Sequence, residues 1–363
     1  MNNIKFRSSS LNFPVTARIR ALIGFLLGFV IMFAVVQIFI VNSFDFENMQ
    51  RGVSLIFQGI NPWAPDTRIP HFYNPPFAVI FLWPMLFATQ NFFLVLGGAF
   101  LFAFTFYHKA WVALSWFATN TFLWLVAAGG IDMFLVGAGL ILLLVGDRTE
   151  NKWVGLVWRV SAYGLLMIKP QGGIFIVALY ILLRRDWKGL LISILIYGLL
   201  FIPLYPDWIS VLMSDPPLAQ TEASHTIWGK FGPGVAAVIA MSVVISRKWK
   251  YWELGGALAG IMMPYGMPGI PIFLTLSGVR KLIAIPIVIV FSGCLAVLTW
   301  VNPPAGEPFY KFISQFMAIY HLSMIGLALA LACITGADSD DSDTIDFAGW
   351  IKQRAKLSES KII

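Results

Sequence analysis

From Ala21 to Val41 the chain runs without a single charge, and twelve further apolar runs follow it. A helix rises 1.5 Å per residue, so about twenty such residues cross a hydrocarbon core roughly 30 Å thick. In lipid every backbone amide must be satisfied within the protein, which leaves helices or a closed barrel. Runs of this length select helices. The chain is therefore predicted to be an all-α polytopic membrane protein. Its 58% hydrophobic and 12% charged residues agree, since soluble domains carry about 25% charge. The first run is too long for a signal-peptide core and no small-residue cleavage site follows it, so it is expected to stay attached. The net charge of +7 does not point to nucleic acid, because Lys and Arg in a membrane chain mainly record topology. Cys294 and Cys333 lie in apolar runs and read as small buried hydrophobes. No disulfide framework, metal motif or cofactor is expected.

The runs are 21–41, 76–88, 92–107, 110–128, 131–146, 153–168, 171–184, 189–204, 231–246, 252–264, 269–279, 282–300 and 311–335. The second holds thirteen residues, about 20 Å of helix, and Pro84 interrupts it. If it does not cross, nineteen Lys and Arg fall on the cytoplasmic side. Five fall opposite: Arg51, Arg68, Lys169, Lys230 and Lys311. If it crosses, seventeen face outward and seven inward. The positive-inside rule favours the first arrangement. It predicts about twelve transmembrane helices in a multi-pass cell-membrane protein, with both termini cytoplasmic and 76–88 dipping into the outer leaflet. Residues 1–20 form a cytoplasmic N-terminus, and 21–335 form a single membrane domain surrounded by membrane lipids. The first outer loop, 42–91, carries the candidate site. A second long outer loop covers about 205–230. Residues 336–363, with "ADSDDSDTID", read as an acidic, disordered cytoplasmic tail.

The first outer loop gathers polar chemistry in "VNSFDFENMQRGVSLIFQGINPWAPDTRIPHFYNPPF". Asn42 or Ser43 can cap a helix that begins near Asp45. Phe46, Met49, Val53, Ile56 and Phe57 recur at spacings of three and four, with Glu47, Asn48, Gln50, Arg51, Ser54 and Gln58 mostly opposite. This predicts a juxtamembrane amphipathic helix that Gly59 can end. Asp45 is then held at headgroup depth between a spanning helix and an interfacial one.

These residues carry a resemblance. The order is Asp45, then Gly59-Ile60-Asn61-Pro62-Trp63, then Tyr73-Asn74-Pro75-Pro76, with "IKPQGGIFIVALYILLRRDWKG" at 168–189. It resembles the polyprenyl-phosphate-sugar-dependent glycosyltransferases of the GT-C superfamily, nearest the mannosyltransferase-like family 87. The likeness covers roughly 15–205. One departure is Gly129-Gly130-Ile131-Asp132, where the family often has Gly-x-x-Asn.

The resemblance implies an inverting hexosyltransferase of the cell envelope. It would move a hexose, mannose as first guess, from a polyprenyl-phosphate sugar to a glycan, lipid or protein hydroxyl at the non-cytoplasmic face. The donor is then a substrate, and no further cofactor is needed. Asp45 is the general base in this reading, with Glu47 as an assistant. Lys169 is either a phosphate clamp or a snorkelling interface anchor. Arg68, His71, His225 and Lys230 face outward and are available for the same work, or are solvated loop residues. Tyr73 stacks on a sugar or belongs to an aromatic belt. Asp132 belongs to the site or simply ends a helix. The rival readings are a polytopic transporter or lipid or glycan flippase, and a non-catalytic subunit with the same fold. Transporters usually show paired repeats and broken helices near the midplane, whereas one elaborate first loop and few mid-helix charges, Arg159 apart, disfavour transport.

Overall fold

The computed structural model describes residues 15–38, 44–70, 72–108 and 131–214, together with positions 290 and 294. Among these residues the regular elements are helices, and no strand occurs. The run at 110–128, the acidic tail and, apart from positions 290 and 294, the runs from 231 onward lie outside the described residues.

Helix α1, Val15–Ile38, packs antiparallel against α4, Gln90–His108. Small residues set the approach. A Cβ at Gly28 would meet Phe102 Cβ at 2.5 Å and Ala99 Cα at 3.0 Å, and one at Gly98 would meet the Met32 side chain. Between membrane helices there is no hydrophobic drive to associate, so close backbone contact at small residues does that work. The outer surface of α1 stays apolar, with Leu22, Leu26, Val30 and Phe33 exposed. Ile19–Gln37 is long and apolar enough to cross a membrane, and so is the helical stretch Trp187–Ser214. Broad exposed apolar surface of this kind belongs in contact with lipid. The same logic corrects the expectation for Cys294, a free and exposed thiol rather than a buried one. In lipid an apolar side chain needs no protein cover.

Helices α5 (Ile131–Arg148), α6 (Lys152–Met167) and α7 (Pro170–Arg184) turn back on one another in short hairpins. Asn151 caps α6, its Oδ1 accepting the Trp153 and Val154 amides at 3.0 and 3.2 Å. Pro170 opens α7 where its missing N–H costs nothing. Gly139 sits against Ala162, Leu165 and Leu166, while Gly146 sits against Gly155 and Arg159, so α5 and α6 run antiparallel. Beyond Arg185, at φ +54°, helix α8 covers Trp187–Ser193. A π turn at Ile194–Gly198 and a 3-10 turn at Leu199–Leu204 lead into α9, Tyr205–Ser214. Pro203 explains the irregularity: it lacks the N–H that Leu199 would use and crowds that carbonyl. Phe201 leaves helical geometry at φ −119°, ψ 15°, which makes the kink. The sequence reading ended this run at 204 and began a loop at 205. The helix instead continues to Ser214, held by Tyr205 Oη donating to the Tyr197 carbonyl at 2.6 Å.

Candidate functional site

The segment from Phe44 to Phe87 folds onto one end of the bundle. Its amphipathic helix α2 spans Phe44–Phe57. Phe46, Met49 and Val53 are buried, and the helix packs on the segment Pro76–Phe87. Gln50 Nε2 donates to the Met85 carbonyl at 2.6 Å and fixes the register. Glu47 and Arg51 are exposed, as their spacing predicts. Two positions depart from the expected faces. Phe57 lies in the last turn and is exposed, beyond the reach of the segment beneath. Asn48, expected on the polar side, is only 9% exposed. Its position around the helix lies nearest Gly52, where a Cβ would strike the Phe72 ring at 2.5 Å, so the loop covers this side too.

Gly59 ends α2 at φ +76°. Its amide bonds the Ile56 carbonyl at 3.0 Å, and the Ile60 amide bonds the Leu55 carbonyl at 2.9 Å. This is the paired Schellman arrangement, which only a left-handed residue completes. The turn that follows is built on Asn61. Its Oδ1 accepts the Trp63 amide at 3.0 Å, and its carbonyl accepts the Thr67 hydroxyl. Its Nδ2 donates to Asp207 Oδ2 in α9. Trp63 is buried and stacked on Phe72 at 5.3 Å, with Nε1 donating to the Phe72 carbonyl at 3.0 Å.

Pro76–Phe87 is not a regular helix. It contains a 3-10 turn at Pro76–Ala78, one α turn (α3, Val79–Leu82) and a second 3-10 turn at Trp83–Phe87. It meets α4 at 113°, so the two do not form one straight span. Pro76 opens the segment, where its missing N–H costs nothing, while Pro84 supplies no N–H to the Ile80 carbonyl that a continuing α-helix would bond. The segment's aromatic rings lock it down: Phe77 and Phe81 lie 5.1 and 5.8 Å from Tyr197. Gly164 of α6 leaves room for this cluster, since a Cβ there would meet Phe81 and Tyr197 ring atoms at 2.5–2.6 Å. Tyr197 Oη then donates to the Val160 carbonyl at 3.0 Å.

The same end holds the turn between α6 and α7. Asn74, 4% exposed, donates from Nδ2 to the Ile168 carbonyl at 3.4 Å, next to Lys169. Trp208 Nε1 donates to the Tyr73 carbonyl at 3.0 Å. The structure thus brings Tyr73 and Lys169 to one place, both half-buried. Position 45 lies in the first turn of α2 at this end, and position 132 opens α5 there, because α5 runs antiparallel to α6. Arg68 is exposed in the loop, and Glu47 lies on the far side of α2 from position 45. His71, His225 and Lys230 lie outside the described residues. Asn61 and Asn74 stand in the sequence motifs without a role of their own, and Asp207 and Trp208 stand in none. The available signal was polar residues beside Pro and Trp at the ends of apolar runs.

A second polar cluster occupies the opposite end. Arg159 Nε lies 2.8 Å from Asp186 Oδ2, and the Tyr163 hydroxyl donates to the same oxygen at 2.7 Å. Asp147 accepts from the Tyr180 hydroxyl and pairs with Arg184 at 3.1 Å. The two tyrosine rings meet edge to face at 6.0 Å and join the halves. Comparison of the chain with protein-family models, curated proteins and solved structures finds no match in any of the three.

Proposed function

We propose that the chain is a membrane glycosyltransferase of GT-C type, with about twelve transmembrane helices. It transfers a hexose, mannose first, from a polyprenyl-phosphate donor to a hydroxyl at the non-cytoplasmic face. Both termini are then cytoplasmic, and Pro76–Phe87 dips into the outer leaflet. One observation carries this reading. The first loop is a packed structure whose Asn74 reaches the Ile168 carbonyl, seating Tyr73 beside the Lys169 turn. A passive connection between spans would not need buried amides bonded across 94 residues of chain.

The chemistry needs few groups. Asp45 takes the proton from the acceptor hydroxyl, whose oxygen attacks the anomeric carbon of the donor. The bond from that carbon to the phosphate oxygen breaks, and polyprenyl phosphate leaves with the electron pair. Lys169 stabilises the charge that develops on it. Tyr73 and Asp132 line the sugar's approach, with Arg68, His71, His225 and Glu47 as outer partners.

The break at 194–204 is the feature that would favour a transporter, since transporters place substrate sites at interrupted helices. Here the rings of Phe77, Phe81 and Tyr197 fill the space beside the break. This apolar filling does not supply polar lining for a solute. The test is transfer of labelled sugar by the purified full chain in proteoliposomes, across a panel of polyprenyl-phosphate sugars. Label appearing in a new glycoside supports the reading, and label retained by every donor overturns it.

A further inference from the structure

The buried side chain of Asn48 carries an amide nitrogen that the fold leaves without a hydrogen bond. The residue is 9% exposed, yet among the described residues its Nδ2 has no hydrogen-bond partner. Buried donors are nearly always satisfied, and leaving one unmet costs free energy. Gln50 donates to Met85, Asn61 to Asp207 and Asn74 to Ile168, while the Trp63 amide donates to Asn61. Asn48 Nδ2 makes no such bond, and its position is specific. It follows position 45 by one helical turn and precedes Gly52 by one turn. By helix geometry these three positions fall within about 60° around the axis. Helical side chains lean toward the N-terminus of their helix, so an amide at 48 covers the turn that contains position 45.

We propose that Asn48 is a substrate-binding residue that donates a hydrogen bond from Nδ2 to a sugar hydroxyl oxygen of the acceptor. This rests on the transferase reading above, in which position 45 receives the acceptor's proton. The choice of a neutral hydroxyl over a phosphate follows from charge. An acid stands at position 45, one turn before Asn48, and its negative charge disfavours an anion at the same place. A neutral amide offers a donor and an acceptor together, which matches an oxygen and a hydroxyl on adjacent sugar carbons. The unmet donor is then the preorganised half of a bond that the acceptor completes.

The experiment uses the full chain in lipid nanodiscs, comparing wild type with Asn48→Leu and Asn48→Ala. Without ligand, Asn48→Leu is expected to melt about 1–3 °C higher, because an unmet donor is removed from a buried site. A Leu variant that melts lower, with Ala lower still, makes Asn48 structural and overturns the proposal. The binding probe is decyl α-mannoside, with inorganic phosphate as the competing chemistry. Wild type is expected to bind the glycoside about tenfold more tightly than either variant, and phosphate equally in all three. Equal glycoside binding in all three, absence of glycoside binding by wild type, or variant-sensitive phosphate binding each overturn it. Glycoside binding that depends on Asn48 in a chain that transfers no sugar leaves this inference standing and removes the transferase reading.

Discussion

Where α5 turns into α6 and α7 into α8, acids and bases close on one another. At the opposite end neutral amides and aromatic rings do the joining. In the first region Asp186 takes Arg159, Tyr163 and the Gly189 amide, and Asp147 takes Tyr180 and Arg184. In the second, Asn61, Asn74, Gln50, Trp63 and Trp208 make the bonds, while Glu47, Arg51 and Arg68 remain exposed. Charge that is saturated internally makes a fixed hinge for the helices but has nothing left to offer a ligand. Hydrogen bonds of about 1 kcal/mol each, with the Asp207 carboxylate accepting from Asn61, hold the loop in shape. The difference puts the charged staple at one end and, in the proposed reading, the chemistry at the other.

The proposed topology puts the two ends on opposite sides of the membrane, and testing this is the most decisive way to break the comparison. In a background with Cys294 and Cys333 replaced by Ala, Asp66→Cys is expected to react fully with an impermeant thiol reagent in intact cells. Asn151→Cys is expected to react only after permeabilisation. Equal reactivity of the two would place the ends on one side and overturn the proposed topology.

Asp45→Asn is the largest expected effect on turnover. Asn keeps the shape but cannot act as the base, so the rate is expected to fall by about 10²–10⁴-fold with folding intact. A variant within about threefold of wild type would remove Asp45 from the chemistry, with Glu47 and then Asp132 next to test. Asp186→Ala is the counterpart at the stapled end. The carboxylate side chain is 9% exposed and Arg159 21%, and removing one partner of such a pair costs about 3 kcal/mol. Thermal melting should drop sharply while the KM values of the folded fraction stay unchanged. A shifted donor KM would mean that the staple also shapes the site.

Lys169→Ala is expected to cost about tenfold to a hundredfold in donor use, as losing one charge-assisted bond does. Lys169→Arg should restore most of it. Unchanged donor kinetics in the alanine variant would return Lys169 to the role of interface anchor. The smallest effect is expected from Arg184→Ala. This guanidinium is one-third exposed, and such pairs contribute about 0–1 kcal/mol. A loss comparable with that of Asp186→Ala would show that Asp147, rather than Asp186, anchors the cluster.

Much of this was legible along the chain. The period of three and four from Phe46 to Val53, with Gly59 behind it, places α2 within a residue of where it lies. Prolines at 76 and 84 mark the irregular segment, and Pro170 marks the start of α7. Arg159 stood out as a charge inside an apolar run, but its partner did not. Asp186 is 27 residues away, and only the return of α7 and the turn into α8 bring it back.

The sequence by itself determined a helical membrane chain and the register of its elements, because those signals are carried between residues three or four apart. It could not determine which polar side chains turn inward. Asn48 reads as part of a solvated face until Phe72 and its loop fold over that side of α2. The bond between Asn61 and Asp207 spans 146 residues, and that between Asn74 and Ile168 spans 94. No local period records such pairs. They form where helices of fixed rise and small interface residues bring distant turns to one end of the bundle, which is a property of packing.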